Sequence, residues 1–321
     1  FHRRVFRFVP LPHLCFIGSK RTDYLDFIIR PGAEQQFFAE FFTFLDADHS
    51  RGTFVELKDL RERSSNLLPL LRGAAAHFRV YGVETFEICV GIALAPSWEA
   101  FLGGLSSRTR RHVGYDRRAL SKAFQVEMKL FTAENALDDG YRDLLALHRR
   151  RWQRQRGATH FEDERTAAFE REVAQRFAQA GWYRLYILYL NASPAAAVLG
   201  HLHNSTLYVD FVVHSPEFAK YSVGNVLLGM AIEDCTRLGT RYFDLLRGDE
   251  RYKFHWGGQA SRNFQLRLYR SRGQAAAVTV IDWLYQRAAG VNLLQVLRVR
   301  LLRLARSRAS DATQPAVDAG P

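Results

Sequence analysis

The spacing of apolar positions predicts alternating strands and helices, most clearly in the second half of the chain. Three dense apolar runs of strand length, separated by turn residues, are predicted strands at 183–190, 195–203 and 206–213. A helical periodicity over 223–238 ends at Gly239. Two further strands are predicted at 242–245 and 261–269. This order predicts a mixed α/β sheet in which one helix connects two strands.

Residues 1–95 are predicted to form a mixed α/β lobe, and residues 96–181 a mainly helical connecting region. The lobe has predicted strands at 5–9, 14–18, 24–30, 53–57 and 78–90 and predicted helices at 34–45 and 60–77. The connecting region has a predicted basic helix over 98–122 capped by Ser97, a strand over 124–131, and amphipathic helices over 137–155 and 162–180, the last closed by Gly181.

The end of the chain is predicted to be a long amphipathic helix followed by a tail. Residues 274–306 place leucines on one stripe with arginines beside it. A helix of this kind either lies on a membrane surface or packs on the protein body with its arginines in solvent, and the sequence leaves both open. Residues 307–321 are polar and rich in alanine and proline, so they are predicted to be disordered.

Composition adds a strong positive charge. The chain has 321 residues, which suggests two domains or one with a large elaboration, and its net charge is +12. That charge favours polyanions, nucleotides or anionic membranes, although a general bias toward arginine and alanine would produce it equally well. Cys15, Cys89 and Cys235 are far apart, so neither a disulfide framework nor a zinc site is predicted.

The chain contains no apolar run of 18 residues and no signal peptide, so we expect a cytoplasmic protein, with peripheral contact to an anionic membrane through 274–306 as the alternative. The sequence begins at Phe1 in a strand-like segment without methionine. We therefore expect an N-terminal portion to be missing.

The join between strand 206–213 and helix 223–238 carries the clearest candidate chemistry. A helix N-terminus presents unpaired N–H groups and a positive dipole end, so it binds anions. Gly224 would let a pyrophosphate approach the backbone, and Ser222 would cap the helix or donate to a phosphate. The predicted donor-binding residues are Tyr221, Ser222, Val223, Gly224, Asn225 and Val226.

This join resembles the pyrophosphate loop of GNAT acyltransferases, written Q/R-x-x-G-x-G/A, although Tyr221 and Val226 replace its first and last residues and only Gly224 matches. Further motifs strengthen the resemblance over residues 100–270, in particular to the CelD-type acetyltransferases of polysaccharide clusters and more distantly to the FemAB aminoacyl transferases. They are the basic pairs Arg110-Arg111 and Arg117-Arg118, Leu147-His148-Arg149, Asp210 within Tyr208–Phe211, Phe243-Asp244-x-x-Arg247-Gly248, and Tyr252-Lys253-x-x-Trp256.

The resemblance implies an α/β (α+β mixed-sheet) GNAT fold built as tandem lobes, with the first lobe truncated or degenerate and 182–272 as the acyltransferase lobe. It implies acetyl-CoA or another acyl-CoA as donor and no metal. The acceptor would be an amine or hydroxyl of a sugar, polysaccharide precursor or envelope metabolite of a bacterium. That acceptor would attack directly a thioester held between two splayed strands, with a backbone N–H polarising its carbonyl.

Three side chains are candidate catalytic groups. Lys253 would offer positive charge to a developing oxyanion or to donor phosphates, a role that a lysine has in FemAB relatives. Asp244 or Asp210 would act as base or orient the acceptor, and a purely structural carboxylate is the alternative for either. The predicted substrate-binding residues are Arg247, Tyr252, Trp256 and Tyr208. His201 and His203 alternate on one strand without a third ligand, so we expect ordinary imidazoles there.

Two rival functions stay open. A FemAB-like transferase would take aminoacyl groups from tRNA, and the +12 charge would suit its phosphates. A degenerate GNAT scaffold would only bind a partner or an anionic membrane.

Overall fold

The computed structural model describes residues 2–7, 9–18, 22–47, 53–132, 134–152 and 164–289. They form two compact units. One comprises the described residues before position 85 and from position 264 onward, and the other comprises those between 85 and 263. The strands are β1 His2–Phe6, β2 Val9–Cys15, β3 Phe54–Arg61, β4 Val80–Ala93, β5 Val126–Phe131, β6 Tyr183–Leu190, β7 Ser193–His203, β8 Thr206–His214, β9 Tyr242–Arg247 and β10 Gln259–Tyr269.

Helices occupy most of the connections between these strands. They are α1 Glu34–Ala47, α2 Leu67–His77, α3 Trp98–Gly104, α4 Ser107–Ala123, α5 Glu134–Trp152, α6 Glu164–Gln179, α7 Val223–Arg237, α8 Arg251–His255 and α9 Arg272–Ala289, with a short 3-10 helix at Pro216–Tyr221. None of the helices in the described ranges is long and apolar enough to cross a membrane.

In the first unit the strand order is β1-β2-β3-β10, with β1 and β2 antiparallel and β2 and β3 parallel. Its core is rich in phenylalanine because α1 turns Phe38, Phe41 and Phe42 inward. A buried ion-pair network ties α9 to this unit. Arg267 of β10 contacts Glu56 at 2.8 Å and Asp282 of α9 at 2.5 Å.

In the second unit the strand order is β4-β9-β8-β7-β6-β5. All neighbours are antiparallel except β8 and β9, which run parallel because α7 connects them. Alternate residues of β6 enter different cores, as the two-residue period of a strand requires. Tyr186 and Leu188 pack with α7, whereas Leu185 and Ile187 pack with α5 and α6.

The parallel strands β8 and β9 part halfway along their length. They are paired at Thr206, Leu207 and Tyr208, which lie opposite Tyr242, Phe243 and Asp244. β8 continues to His214 and β9 to Arg247, with no further pairing between them in this described part of the chain. A bulge in β8 near Asp210 shifts its register against β7 by one residue. The sheet therefore opens beyond Tyr208.

Most strands and helices predicted within residues 124–269 are confirmed, with ends that differ by about two residues. Three residues predicted to begin or end helices are confirmed as well. Ser97 caps α3 by accepting from Ala100 N at 3.1 Å. Gly181 and Gly239 take the positive φ that ends a helix, 73° and 70°.

Several predictions elsewhere in the chain were wrong. Residues 24–30 do not form a strand and contribute one bridge at Leu25. The helix predicted over 60–77 begins only at Leu67 because β3 extends to Arg61. The helix predicted over 98–122 is two helices, since Leu105 and Ser106 are extended and Ser106 caps the second. The helix predicted over 274–306 is described to Ala289, and residues 290–321 lie outside the described residues.

Candidate active site

A cavity of about 700 Å³ fills the opening between β8 and β9 in the second unit. This volume lies within the usual range for small-molecule sites. β8 contributes Val209 to His214, α7 and the residue before it contribute Ser222 to Asn225, and α5 contributes His148. β9 and the segment after it contribute Leu245, Arg247, Glu250, Tyr252 and Lys253. The cavity thus joins the start of α7 to the edge of two separated strands.

The first residues of α7 border this cavity. Asn225 N and Val226 N both donate to Ser222 O, at 2.9 and 3.0 Å, and they close the first helical turn. The amides of Val223 and Gly224 have no carbonyl one turn earlier, as for any helix start. Ser222 adopts the left-handed conformation, φ 53°, and its side chain does not cap the helix. The capping role predicted for Ser222 is therefore not observed.

Four of the six predicted donor-binding residues line the cavity, namely Ser222, Val223, Gly224 and Asn225. The other two lie elsewhere. Tyr221 packs its ring edge against Phe124, with 5.0 Å between the ring centroids, and Val226 is buried in the α7 core. A Cβ added at Gly224 would lie 3.4 Å from His214 Nδ1, which is ordinary contact. Gly224 therefore leaves space beside the amides but is not required by backbone strain.

Trp256 lies in the core and does not line the large cavity, although a substrate contact was predicted for it. The side chain is 1% exposed and stacks with Phe101 of α3. Its Nε1 donates to Asn225 Oδ1 at 2.8 Å. The ring also lies so close to α7 that a Cβ at Gly229 would be 2.7 Å from it. Trp256 therefore fixes the first turn of α7 from behind.

Lys253 lines the cavity, but its ammonium is fully engaged by the protein. The side chain is buried, and Nζ donates to the carbonyls of Arg247 at 2.6 Å, Gly248 at 3.1 Å and Leu246 at 3.4 Å. Glu250 Oε2 lies 2.9 Å from the same nitrogen. Four partners surround three protons, so this geometry favours a clamp on the turn after β9 over a charge presented to substrate.

Glu250 completes this clamp at the rim of the cavity. Burial would raise the pKa of its carboxyl, but the hydrogen bond and the positive charge of Lys253 outweigh burial and lower that pKa below its usual value. Glu250 is thus the carboxylate partner of a buried lysine. An ion pair three residues apart at a short helix has no distinctive sequence pattern, so Glu250 could not be predicted from the sequence.

The carboxylate of Asp244 is buried and hydrogen-bonded to the backbone. It is 2% exposed, and its Oδ1 accepts from Leu246 N at 2.9 Å. That bond supports the left-handed conformation of Leu246, φ 54°. Asp244 is not among the residues that line the cavity. The geometry therefore favours the structural alternative that the sequence left open for this residue.

Asp210 is the candidate carboxylate that reaches the cavity. It lies at the bulge of β8, and its Oδ2 is 2.6 Å from His201 Nδ1 on β7. The imidazole of His201 packs against the ring of Phe177, with 4.5 Å between the centroids. His203, two residues along, instead contacts Trp182 at 4.6 Å. The two histidines therefore have different partners, and the described residues contain no group of three possible metal ligands.

The remaining predicted substrate-binding residues divide between cavity and sheet. Arg247 and Tyr252 line the cavity, and the Arg247 guanidinium lies 3.6 Å from the Glu87 carboxylate. Tyr208 does not line it and lies in the paired half of β8, opposite His201 and Asp244. His148 and His214 line the cavity without having been assigned a role, although His148 belongs to a motif quoted above.

The second unit matches a known family model. Residues 107–254 match the acetyltransferase (GNAT) domain, and every residue lining the large cavity lies within that match. Among the curated proteins, no sequence matches this chain. Residues 107–254 therefore match a GNAT-type acetyltransferase domain, and the mixed α/β architecture of the chain is consistent with the GNAT fold.

Solved structures of similar fold extend over most of the chain. FemX is 11% identical, with a TM-score of 0.54, covering 82% of each chain. L-PGS from Bacillus licheniformis is 10% identical, with a TM-score of 0.54, covering 80% of this chain and 79% of its own. A conserved protein of unknown function from Bacteroides thetaiotaomicron is 12% identical, with a TM-score of 0.50, covering 73% and 75%. At these identities the similarity establishes the fold alone.

Proposed function

We propose that the protein is an acyltransferase that binds acyl-CoA in the large cavity and transfers the acyl group to an amine or hydroxyl. The observation that carries this proposal is the meeting of two features in one cavity. The backbone amides at the start of α7 and the opening between β8 and β9 both border it. The GNAT model that matches residues 107–254 supports acyl-CoA as the donor.

The residues present fit such a donor. Amides of Val223 and Gly224 at a positive helix end suit a pyrophosphate, and Gly224 carries no side chain to obstruct it. An extended pantetheine arm would then run along β8 beside Val209, Val212 and Leu228, which are apolar. The thioester would lie where the strands part, and a backbone N–H of β8 there would polarise its carbonyl.

In this proposal the side chains from β9 onward shape the site. Lys253 and Glu250 hold the turn after β9, and Asp244 holds Leu246, so that the far wall of the opening is rigid. Asp210 remains as the carboxylate that faces the acceptor. The acceptor class that fits the sequence resemblance is a sugar, a polysaccharide precursor or another envelope metabolite.

A FemAB-like transfer from aminoacyl-tRNA is the second candidate. It is favoured by exposed arginines on α4, among them Arg108, Arg111 and Arg118, which would suit a phosphate backbone. It shares the cavity with the first candidate and differs in the donor.

Calorimetric titration of the full chain with coenzyme A, beside mass spectrometry of ligands that copurify, tests the first candidate. We expect saturable binding with one coenzyme A per chain. No binding, together with displacement of bound fluorescent aminoacyl-tRNA by unlabelled aminoacyl-tRNA alone, would favour the second. Binding of neither donor would leave only the scaffold alternative.

A further inference from the structure

The two faces of the sheet around β8 offer different chemistry. Leu207 and Val209 pack into the core of α7, where the donor amides lie, whereas Val213 packs into the core of α5 and α6. Asp210 belongs to the second face. It contacts His201, whose ring packs against Phe177 of α6. Because Asp210 also lines the large cavity, it borders the opening from the side away from α7.

We propose that the His201–Asp210 pair is the acceptor subsite, in which Asp210 binds the ammonium group of a primary amine and takes one of its protons, while His201 positions the carboxylate. This inference rests on the proposed acyl transfer and selects amines over hydroxyls. Asp210 is the catalytic residue and His201 a positioning residue behind it, because His201 does not line the large cavity.

The geometry of the pair fits a catalytic role for Asp210 and a positioning role for His201. His201 Nδ1 lies 2.6 Å from Asp210 Oδ2, so the N–H of that ring nitrogen donates to the carboxylate. Asp210 Oδ1 is the oxygen left for the acceptor. The side chain of Asp210 is 30% exposed and that of His201 17%. The carboxylate is therefore open to a ligand, whereas the imidazole is held between Asp210 and the aromatic ring of Phe177.

Charge and acidity favour an amine over a hydroxyl. An ammonium ion is attracted to the carboxylate, and it gives one proton to Asp210 before its nitrogen, now carrying a lone pair, attacks the carbonyl carbon. The nitrogen of the adduct is then acidic enough to give its second proton to the departing thiolate. An alcohol is neutral and far less acidic, so a carboxylate is a poor base for it. Tyr183, which also lies on this face, does not compete as base, since burial, Tyr141 and Asp210 all raise the pKa of its hydroxyl.

The transfer balances with the groups named. The nitrogen–carbon bond forms as the carbon–sulfur bond breaks, and the departing sulfur takes the electron pair. Of the two protons that the ammonium loses, Asp210 receives one and the leaving thiolate receives the other. Asp210 returns its proton to solvent through the cavity before the next cycle.

The test uses the full chain with acetyl-CoA and a matched pair of acceptors, a panel of primary amines including 2-phenylethylamine and the corresponding alcohols including 2-phenylethanol. We expect acetylation of amines and none of alcohols. Asp210→Asn should lower kcat with an amine by about 10²-fold or more, while the Kd for coenzyme A is unchanged. Alcohol transfer without amine transfer, or no transfer to any amine, overturns the assignment.

Variants of His201 separate positioning from proton transfer. Asparagine places an N–H donor near the position of Nδ1, so His201→Asn should keep most of kcat. His201→Leu removes the donor and should lower kcat by about 10- to 100-fold, the usual worth of a hydrogen bond to a charged group. In the Asp210→Asn background His201→Leu should add little. His203→Leu makes the same change on the same strand without touching Asp210, and it should retain wild-type kinetics.

Each outcome has one meaning. Equal losses in His201→Asn and His201→Leu would overturn the positioning role. Full activity in Asp210→Asn would overturn the subsite. Failure of the wild-type chain to bind coenzyme A would instead reject the proposed function, which the binding titration detects separately from the kinetics.

Discussion

Trp256 and Asn225 are joined by a hydrogen bond of 2.8 Å from the indole Nε1 to the amide Oδ1. The bond connects a fully buried ring to the third residue of α7, whose first turn borders the cavity. A side chain that makes no contact with the cavity thereby sets the position of the amides that would bind the donor.

We therefore predict that Trp256→Phe weakens coenzyme A binding. The change keeps an aromatic ring but deletes one hydrogen bond, which is worth about 0.5–1.5 kcal/mol, or up to roughly tenfold in Kd. Calorimetric titration beside thermal unfolding measures both effects. Trp98→Phe is the control, because Trp98 stacks on Phe101 without bonding α7. A lower Tm with an unchanged Kd would show that Trp256 contributes to the packing of the core but not to donor binding.

Gly224 gives a second prediction at the same helix start. Alanine should be tolerated, since a Cβ would lie 3.4 Å from His214 Nδ1. Valine places branched bulk beside the amides and should weaken coenzyme A binding at least about tenfold, because a pyrophosphate could no longer approach the backbone. Calorimetric titration with coenzyme A measures the Kd of both variants, and equal Tm values show that both are folded. Undiminished affinity in a folded Gly224→Val protein would reject the phosphate site.

Lys253→Met should mainly reduce stability. The ammonium neutralises Glu250 and satisfies carbonyls of the turn after β9, and methionine would leave these carbonyls buried without a donor. An unsatisfied buried polar group costs about 1–3 kcal/mol. Chemical denaturation measures the free energy of unfolding, and Lys220→Met, on an exposed lysine, is the control. Unchanged stability with lost transfer would restore the catalytic role predicted from the sequence.

Asp244 calls for a separate pair of substitutions. Asp244→Asn retains an oxygen that can accept from Leu246 N, whereas Asp244→Ala does not. If the carboxylate is structural, we expect a larger fall in Tm for alanine and near-normal transfer for asparagine. A normal Tm with lost transfer in Asp244→Asn would identify it as the base.

The Glu250–Lys253 pair predicts a pH dependence of stability. The folded-state pKa of Glu250 lies below its usual 4.5, so the pair stabilises the protein above that value and loses its contribution as pH falls through the folded-state pKa. Wild type should therefore exceed Glu250→Gln in Tm near neutrality, and the difference should vanish in acid. Melting curves of both proteins from neutral pH to pH about 3 test this. A gap that persists in acid would contradict the ion pair.

The C-terminal region yields a prediction about truncation. Val278 is fully buried and Asp282 pairs with Arg267 and Arg7, so ending the chain after Arg272 should destabilise the first unit. Ending it after Ala289 keeps these contacts and removes the arginine-rich segment. The membrane interpretation expects the full chain, but not residues 1–289, to sediment with phosphatidylglycerol vesicles. Equal sedimentation would reject it.

The sequence predicted the elements of the second unit well, because its strands are dense apolar runs with clear turns between them and Gly239 marks the end of α7, which stops at Arg237. It predicted the first unit less well. Residues 24–30 have a strand-like pattern, yet Leu25 makes one bridge, Phe27 packs against Phe38 and Phe41 of α1, and Ile28 is fully exposed.

The candidate site was predicted only in part for a similar reason. The start of α7 is a local feature, so Ser222 to Asn225 were found from sequence. Motif residues such as Lys253 and Asp244 were noticed, but their partners are backbone carbonyls and amides, which no residue pattern displays. The pairing of His201 with Asp210 depends on register between two strands and on a bulge, and neither is encoded by spacing along one strand.

That bulge gives β8 two phases of inward and outward alternation. Before Asp210, odd-numbered residues such as Leu207 and Val209 face α7, and after it Val213 faces α5. Deleting Asp210 would remove the extra residue, so that Phe211 follows Val209 in one regular alternation and the side chains downstream keep their faces. The strand β8 is thus one residue longer than its pairing with β7 requires, and a variant shortened by that residue would keep both faces of the sheet but lose the carboxylate that borders the cavity.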